Sequence, residues 1–84
     1  MFRWIVTKDG FDDFQGRVGY GNAEEEQCQY KWRVIDEDDM MHYEGLSNDK
    51  FSQSAFIPLD WAMRDSGATD IQYWDGRRQE WVTL

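Results

Sequence analysis

The stretch 30-YKWRVIDEDDMMHYEG-45 decides the fold that the sequence predicts. Its first half places Trp32 and Val34 two positions apart with a charged residue between them, and the alternation extends back to Cys28. An apolar side chain at every second position is the period of a strand with one buried face. We therefore predict a strand from Cys28 to Ile35.

The chain is expected to reverse after this strand, at the consecutive acidic residues Asp36, Glu37, Asp38 and Asp39. Aspartate tolerates turn conformations and accepts hydrogen bonds from nearby backbone N–H groups, so this run favours a turn. A second strand follows over Met40–Glu44, with Met41 and Tyr43 predicted on the face that the first strand buries. Gly45 is predicted to end the pairing.

Aromatic side chains supply most of the predicted core. The chain has 84 residues, enough for one domain, and contains five Trp, five Phe and four Tyr. Each aromatic side chain buries roughly 150–250 Å² inside a protein, so a few of them dominate a core of this size. The single cysteine, Cys28, has no partner for an internal disulfide. We expect it to be a small buried hydrophobe in a reducing compartment.

The charge balance restricts the kinds of partner. Seventeen acidic against nine basic residues give a net charge of -8, which opposes direct binding to nucleic acid or to an anionic membrane. We expect any partner to present a basic protein surface. The sequence has no secretion-signal pattern and no apolar run near the ~20 residues of a membrane span, so we expect a soluble cytoplasmic protein.

The first residues of the sequence predict a strand over Phe2–Lys8, because Trp4 and Val6 continue the alternating pattern. The glycine-rich segment 10–21 that follows is expected to be an irregular loop. Aromatic side chains would attach this loop to the core, and an aromatic-bearing binding loop is the alternative interpretation. The aromatic residues in question are Phe11, Phe14 and Tyr20.

Two helical segments are predicted. Asn22 is expected to cap a short turn that carries glutamates at residues 24–26. Pro58 has a backbone angle suited to the first turn of a helix, which we predict over Pro58–Arg64, with Gly67 in the left-handed conformation beyond its end. The expected inner face of this helix consists of Leu59, Ala62 and Met63. Residues 50–56 have no clear period and are left unassigned.

The last part of the sequence predicts a second hairpin. Residues 69–74 and 79–84 have strand patterns, and Asp75-Gly76 between them is a strong turn signal that Arg77 and Arg78 lengthen into a longer loop. The fold class is therefore predicted as α+β. We expect an antiparallel sheet of about five strands in one domain, with one short helix packed on one face.

Short patterns in the sequence carry a resemblance to a group of known proteins. The patterns are Phe56-x-Pro58-Leu59-Asp60, Gly67-x-Thr69-x-Ile71-x-Tyr73, Trp81-x-Thr83-Leu84 and Tyr43-Glu44-Gly45. They resemble small acidic proteins of unknown function encoded by bacteriophages and bacterial mobile elements. The resemblance implies a phage or mobile-element setting and no particular activity. This chain departs from the pattern at Asp38-Asp39, where Asp-Gly is usual, and at Trp61, where an acidic residue is common.

No arrangement of residues in the sequence supplies the parts of an enzyme or a metal site. His42 has no histidine or cysteine at ligand spacing, and we predict its ring on the outer face of its strand. The acidic run at 36–39 lacks the glycine bend and the late bidentate glutamate of a calcium loop. Cys28 and His42 have no third group to complete a nucleophilic relay. We therefore expect no catalytic residues, no metal and no cofactor.

The distribution of acidic residues suggests a function. Acidic groups in the first half of the chain, among them Asp12-Asp13, would form a face resembling duplex DNA, which carries one charge roughly every 1.7 Å. The resulting hypothesis is a small phage-type inhibitor that binds a host defence protein, for example a CRISPR effector, and blocks its basic nucleic-acid site. Its partner-binding residues would be Glu24, Glu25, Glu26, Asp36, Glu37, Asp38, Asp39 and Glu44. The other interpretation is that acidity only keeps an aromatic-rich domain soluble.

A second hypothesis is a non-enzymatic protein-interaction or assembly module. Trp61 and Trp74 are candidates for exposed docking aromatics, and a free strand edge would allow pairing with another chain. A homodimer is one form of this hypothesis. Carbohydrate binding by exposed tryptophans has no pattern of polar residues to support it.

Overall fold

A computed structural model of the chain describes residues 1–10 and 17–84. Within these residues it contains a five-stranded antiparallel sheet and one α-helix. The elements are β1 (Trp4–Asp9), β2 (Tyr30–Ile35), β3 (Met41–Ser47), α1 (Ile57–Ser66), β4 (Asp70–Asp75) and β5 (Glu80–Thr83). Short 3-10 turns precede β2 at Glu25–Gln27 and α1 at Gln53–Phe56.

The strand order in the sheet is β1-β3-β2-β4-β5, and each neighbouring pair is antiparallel. Helix α1 packs on one face of this sheet and shares its buried residues with the core. The predicted α+β class, with five antiparallel strands and one short helix on one face, is therefore confirmed. The strand predicted from the most regular alternation, β2, lies at the centre of the sheet.

Strand β2 is central because its buried face contacts both neighbouring strands and the helix. Trp32 lies opposite Gly45 of β3 and Tyr73 of β4. The side chains of Trp32 and Val34 are fully buried. Burial of an indole ring is among the largest single contributions to a core, so β2 anchors the sheet through Trp32.

The prediction that Gly45 ends the first hairpin is wrong. Strand β3 continues through Gly45 to Ser47, and Gly45 pairs with Val6 on one side and Trp32 on the other. A Cβ atom at position 45 would lie 2.1 Å from the carbonyl oxygen of Ile5 and 2.3 Å from the ring of Trp32. Glycine is required here because the backbone and the indole ring occupy that space, and the residue does not break the strand.

A β-bulge in β3 changes the orientation predicted for the residues after the acidic turn. Val34 lies opposite Tyr43 and Ile35 opposite Met41, so His42 is an extra residue in the ladder. His42 is only 6% exposed, and its predicted position on the outer face is wrong. Tyr43 joins the core as predicted, whereas Met41 is half-buried and lies outside the core cluster.

Strand β1 begins at Trp4 rather than Phe2, and a side chain from a later segment holds it in place. Asn22 accepts a hydrogen bond from the backbone N–H of Trp4 and donates one to the carbonyl oxygen of Phe2. Asn22 is therefore not the helix cap that its position predicted. The 3-10 turn at Glu25–Gln27 begins after Glu24 instead.

Helix α1 is longer than predicted and has its predicted end signals. Pro58 lies in its first turn, and Gly67 follows its last residue with a φ of 81°. Leu59 and Ala62 are buried as expected, but Met63 is 52% exposed, so its predicted place on the inner face is wrong. Trp61 occupies part of that face in its place.

The second hairpin is confirmed, with β4 and β5 joined by the four residues Gly76 to Gln79. The longer loop expected from Arg77 and Arg78 is present. None of the helices in the described residues has the length and apolar character needed to cross a membrane. The predictions about Phe11 and Phe14, and about the acidic pair Asp12-Asp13, fall outside the residues that the structure describes.

Candidate functional site

Acidic residues lie at or next to the ends of four strands, along one end of the sheet. Strand β2 ends at Ile35, β1 ends at Asp9, and β4 begins at Asp70 opposite Ile35. The last turn of α1 reaches the same end of the sheet, because Asp65 contacts Tyr43 of β3. We call this region the acidic end, and its carboxylates are Asp9, Asp36, Glu37, Asp38, Asp39, Asp65 and Asp70.

The side chain of Asp36 stabilises the turn over residues 36–40 by accepting hydrogen bonds from backbone N–H groups of the turn. One carboxylate oxygen of Asp36 accepts hydrogen bonds from the backbone N–H groups of Asp38, at 2.9 Å, and Met40, at 3.1 Å. Asp39 has a φ of 61°, a left-handed conformation that aspartate adopts more readily than most residues. The side chains of Glu37, Asp38 and Asp39 are left exposed to solvent.

A buried histidine joins this turn to the helix. The Nε2 atom of His42 lies 2.9 Å from the second carboxylate oxygen of Asp36, and its Nδ1 atom lies 2.7 Å from the hydroxyl of Ser66 at the end of α1. We call this arrangement the His42 clamp. The hydrogen bond from His42, followed by those from the backbone, lowers the pKa of Asp36. Asp36 is therefore held in place as an ionised structural group.

The residue types of the His42 clamp are those of a nucleophilic triad, but their geometry favours a structural role. His42 is 6% exposed, so its ring has little access to a substrate. Ser66 donates its hydroxyl proton to the carbonyl oxygen of Ala62, 3.2 Å away. The carboxyl end of a helix presents carbonyl groups rather than the N–H groups that stabilise an oxyanion.

Asp65 is the second carboxylate that the fold holds in place at the acidic end. It accepts a hydrogen bond of 2.5 Å from the hydroxyl of Tyr43 and forms an ion pair of 3.1 Å with Arg17. Burial, together with the neighbouring carboxylate of Asp65, raises the pKa of Tyr43 to about 12. Tyr43 therefore stays neutral and keeps donating to Asp65 over the physiological pH range.

The acidic end has a charge density comparable to that of a nucleic acid. It spans the ends of four neighbouring strands, which lie about 4.8 Å apart, so its width is roughly 14 Å. A DNA duplex of that length carries about eight phosphate charges. The carboxyl end of α1 adds the negative end of its dipole to the same region. Arg17 offsets part of this charge through its ion pair with Asp65.

The structure does not bring all the predicted partner-binding residues together. Glu24, Glu25 and Glu26 are exposed, but they precede β2, whereas the acidic turn follows it. The six residues of β2 therefore separate the two groups by roughly 17 Å. Glu44 points to the sheet face away from α1, where its carboxylate lies 2.9 Å from the ammonium group of Lys31.

Sequence reasoning missed Asp9, Asp65 and Asp70 as members of the acidic end. Each of them lies at the boundary of a predicted strand or helix, which was the available signal. The strand order was needed to show that these strand and helix boundaries lie at the same end of the sheet. A sequence pattern predicts where a strand ends, but not which other strands end beside it.

The candidate docking aromatics have partners within the protein. Trp61 is half-buried, with its ring centre 5.6 Å from that of Trp4 and 4.7 Å from that of Tyr43. Trp74 and Trp81 contact each other on the sheet face away from α1, with ring centres 5.4 Å apart. Trp61 therefore packs, partly buried, against the core cluster.

The described part of the chain contains no group of three or more histidine, cysteine, aspartate or glutamate side chains placed to hold a metal ion. Comparison with known proteins adds no further assignment. No protein-family model matches the sequence, and neither the curated proteins nor the solved structures include a significant match to it.

Proposed function

We propose that this protein is a small acidic inhibitor that binds the basic nucleic-acid site of a host defence protein, for example a CRISPR effector. The observation that supports the proposal is the convergence of carboxylates from four parts of the chain at the acidic end. The defence setting is suggested by the resemblance of the sequence to small phage proteins. The protein would act by occupying the site, without catalysing a reaction.

The exposed carboxylates of the turn would make the contacts in this complex. Glu37, Asp38 and Asp39 are exposed, so they remain available to arginine and lysine side chains of a partner. Asp36 and Asp65 already accept hydrogen bonds within the protein and would support the surface rather than bind directly. The net charge of -8 would also speed the approach to a basic site.

The test compares two triple variants with the same change in net charge. Binding to a panel of purified CRISPR effectors and restriction enzymes is measured first. The variant Glu37→Gln, Asp38→Asn, Asp39→Asn should then weaken binding by about tenfold or more, because it removes contacts made by the acidic end. The matched control is Glu24→Gln, Glu25→Gln, Glu26→Gln. It should change the affinity by less than about threefold, through long-range charge alone.

The proposal also requires that the bound protein displaces nucleic acid from its partner. A fluorescent DNA or RNA duplex on the same partner should be released as the inhibitor is added. The absence of binding to any member of the panel would count against the defence setting. Equal losses of affinity in the two triple variants would show that net charge, and not the acidic end, determines binding.

A further inference from the structure

The two edges of the sheet differ in how their backbone is covered. At the β1 edge, Val6 donates a hydrogen bond to the carbonyl oxygen of Tyr20 and accepts one from Gly19, while Asn22 donates to the carbonyl oxygen of Trp4. At the β5 edge, no strand in the described part of the chain pairs with the outward side of β5. One edge is therefore closed by the chain itself, and the other is available for pairing.

The register of the β4–β5 hairpin shows which backbone groups point outward. Leu84 donates a hydrogen bond to the carbonyl oxygen of Ile71, so these two residues form a hydrogen-bonded pair. Such pairs alternate along an antiparallel ladder, which makes Val82 opposite Tyr73 the next one. The residues between them direct their N–H and C=O groups away from β4. These outward-facing residues are Trp81 and Thr83.

Strand β5 is short and carries one charged residue, but it lacks the proline, lysine and bulge that protect many natural edge strands. Its sequence, EWVT, contains neither proline nor lysine, and its pairing with β4 has no bulge. Val82 is 41% exposed on the side of the sheet that carries α1. A regular edge with outward-facing backbone groups is a template for another strand, and the one charged residue of β5, Glu80, lies at its beginning.

We propose that β5 pairs antiparallel with β5 of a second copy of the chain, about a two-fold axis at Val82. The resulting dimer contains one continuous sheet of ten strands. Trp81 exchanges backbone hydrogen bonds with Thr83 of the second copy, and Thr83 does so with Trp81 of that copy. The two Val82 side chains face each other directly on the axis, as an isologous contact requires.

The second copy is favoured over other strands because β5 is complementary to itself in this register. Its outward-facing residues are symmetric about Val82, so both are satisfied at once. The charged residue of the strand, Glu80, lies opposite Leu84 of the second copy. The two Glu80 positions are therefore about 14 Å apart along the strands, and no like charges face each other.

The charge and geometry of the dimer give it a recognisable salt dependence. Each copy has a net charge of -8, so the copies repel each other and added salt should strengthen their association. The contact is short, so we expect it to form at high micromolar protein concentration. Because the two β5 strands are antiparallel, the acidic ends point in opposite directions and stay exposed. The dimer is thus independent of the proposed inhibitory function.

Sedimentation of the full chain over a range of protein and salt concentrations tests the dimer. The wild-type protein should dimerise, and more strongly as the salt is raised. Val82→Lys and Val82→Glu each place like charges on the axis and should weaken dimerisation by about tenfold or more. An equimolar mixture of the two variants should recover it. Val18→Lys changes a valine that is 50% exposed outside β5 and should behave as the wild type.

The recovery in the mixture also controls for misfolding, because an unfolded variant would not pair with its counterpart. Thr83→Pro provides a second variant, since it removes an outward-facing backbone donor and leaves the backbone hydrogen bonds between β5 and β4 intact, although Gln72 of β4 loses the Thr83 hydroxyl as an acceptor. It should weaken the dimer as well. A protein that remains monomeric at about 1 mM in high salt would overturn the proposal. So would a dimer that the Val82 variants leave unchanged, or a mixture that does not recover.

Discussion

The turns of the β2–β3 hairpin and the β4–β5 hairpin are stabilised by the same kind of hydrogen bond. In each, an aspartate accepts hydrogen bonds from backbone N–H groups of the turn: Asp36 from residues 38 and 40, and Asp75 from residues 77 and 78. Each turn also contains a residue with positive φ that is not glycine, 61° at Asp39 and 56° at Gln79. The local chemistry of the two turns is therefore closely similar.

The hairpins differ in what surrounds them. Strands β2 and β3 lie inside the sheet, and the His42 clamp ties their turn to α1. Strand β5 is at the edge, and ion pairs of Arg78 with Asp75, at 3.9 Å, and with Glu80, at 3.6 Å, are found at its turn. The comparison teaches that turn chemistry specifies the reversal, whereas position in the sheet decides which further contacts the turn makes.

The largest expected difference between the hairpins is in their tolerance of a methyl group on glycine. Gly45→Ala should lower the free energy of unfolding by about 3 kcal/mol or more, because the new Cβ would overlap the backbone of Ile5 and the ring of Trp32. Gly76→Ala, in the second hairpin, has open space and should stay within about 0.5 kcal/mol of the wild type. Urea denaturation of both variants measures the difference.

Equal losses of unfolding free energy in the two glycine variants would contradict the expected difference between the hairpins. A mild effect at Gly45 would mean that β1, β2 and β3 can separate enough to admit a methyl group. A severe effect at Gly76 would mean that the second turn is more constrained than its exposed position indicates. Circular dichroism before denaturation distinguishes a destabilised variant from one that does not fold.

The next largest effect is expected from loss of the His42 clamp. His42→Ala removes contacts to Asp36 and Ser66 and leaves a buried gap, so it should cost about 2 to 3 kcal/mol of stability. Arg78→Ala is the matching change in the second hairpin. It removes only exposed ion pairs and should cost less than about 0.5 kcal/mol. Thermal and urea unfolding measure both.

The His42 prediction has a clear counter-result. If His42→Ala costs no more than Arg78→Ala, the contacts between the turn and α1 do not contribute to stability. Hydrogen exchange of the backbone N–H groups of Asp38 and Met40 is a second test of whether these contacts stabilise the turn. Their exchange should become faster in His42→Ala while that of Arg77 and Arg78 is unchanged.

The smallest expected effect is a difference in acid sensitivity. The folded pKa values of Asp36 and Asp75 both lie below the ordinary value of 3.8, Asp36 chiefly through His42 and Asp75 chiefly through the backbone N–H of Arg78. Each ionised carboxylate therefore stabilises the fold fully above that value, and this stabilisation is lost as pH falls through the folded pKa. Asp36→Asn and Asp75→Asn should each reduce the loss of stability that the protein shows as the pH falls.

Unfolding measured from about pH 6 down to about pH 2 compares these two variants with the wild type. The stability of each variant should depend less on pH than that of the wild type, because the substituted side chain no longer titrates. A variant whose profile matches that of the wild type would show that its carboxylate does not contribute to the loss of stability in acid.

The sequence predicted the elements better than their mutual arrangement. The alternation at Trp32 and Val34, the turn at Asp75-Gly76 and the proline start of α1 depend on neighbouring residues, and the structure bears them out. Gly45 and His42 were misplaced because a packed indole ring and a β-bulge decide their positions. Neither feature follows from local propensity.

The candidate surface was only partly predictable for the same reason. The exposed acidic run at residues 37–39 is visible in the sequence as a charged turn. The contribution of Asp9, Asp65 and Asp70 depends on the order of strands that are distant in sequence. The exclusion of Glu24, Glu25 and Glu26 depends on the direction of β2. Charge patterns along a chain therefore predicted acidity, but the fold determined where it accumulates.

The place of β1 in the sheet has a consequence for the route by which the protein folds. Trp4 pairs with Ser47 across a long stretch of chain, whereas β2 and β3 are joined by a short turn. Closing a long loop costs more entropy than closing a short one, so we expect the β2–β3 hairpin to form first and β1 to dock late. Until then β3 has a bare edge, and the apolar side chains of Trp4 and Val6 are exposed to other chains.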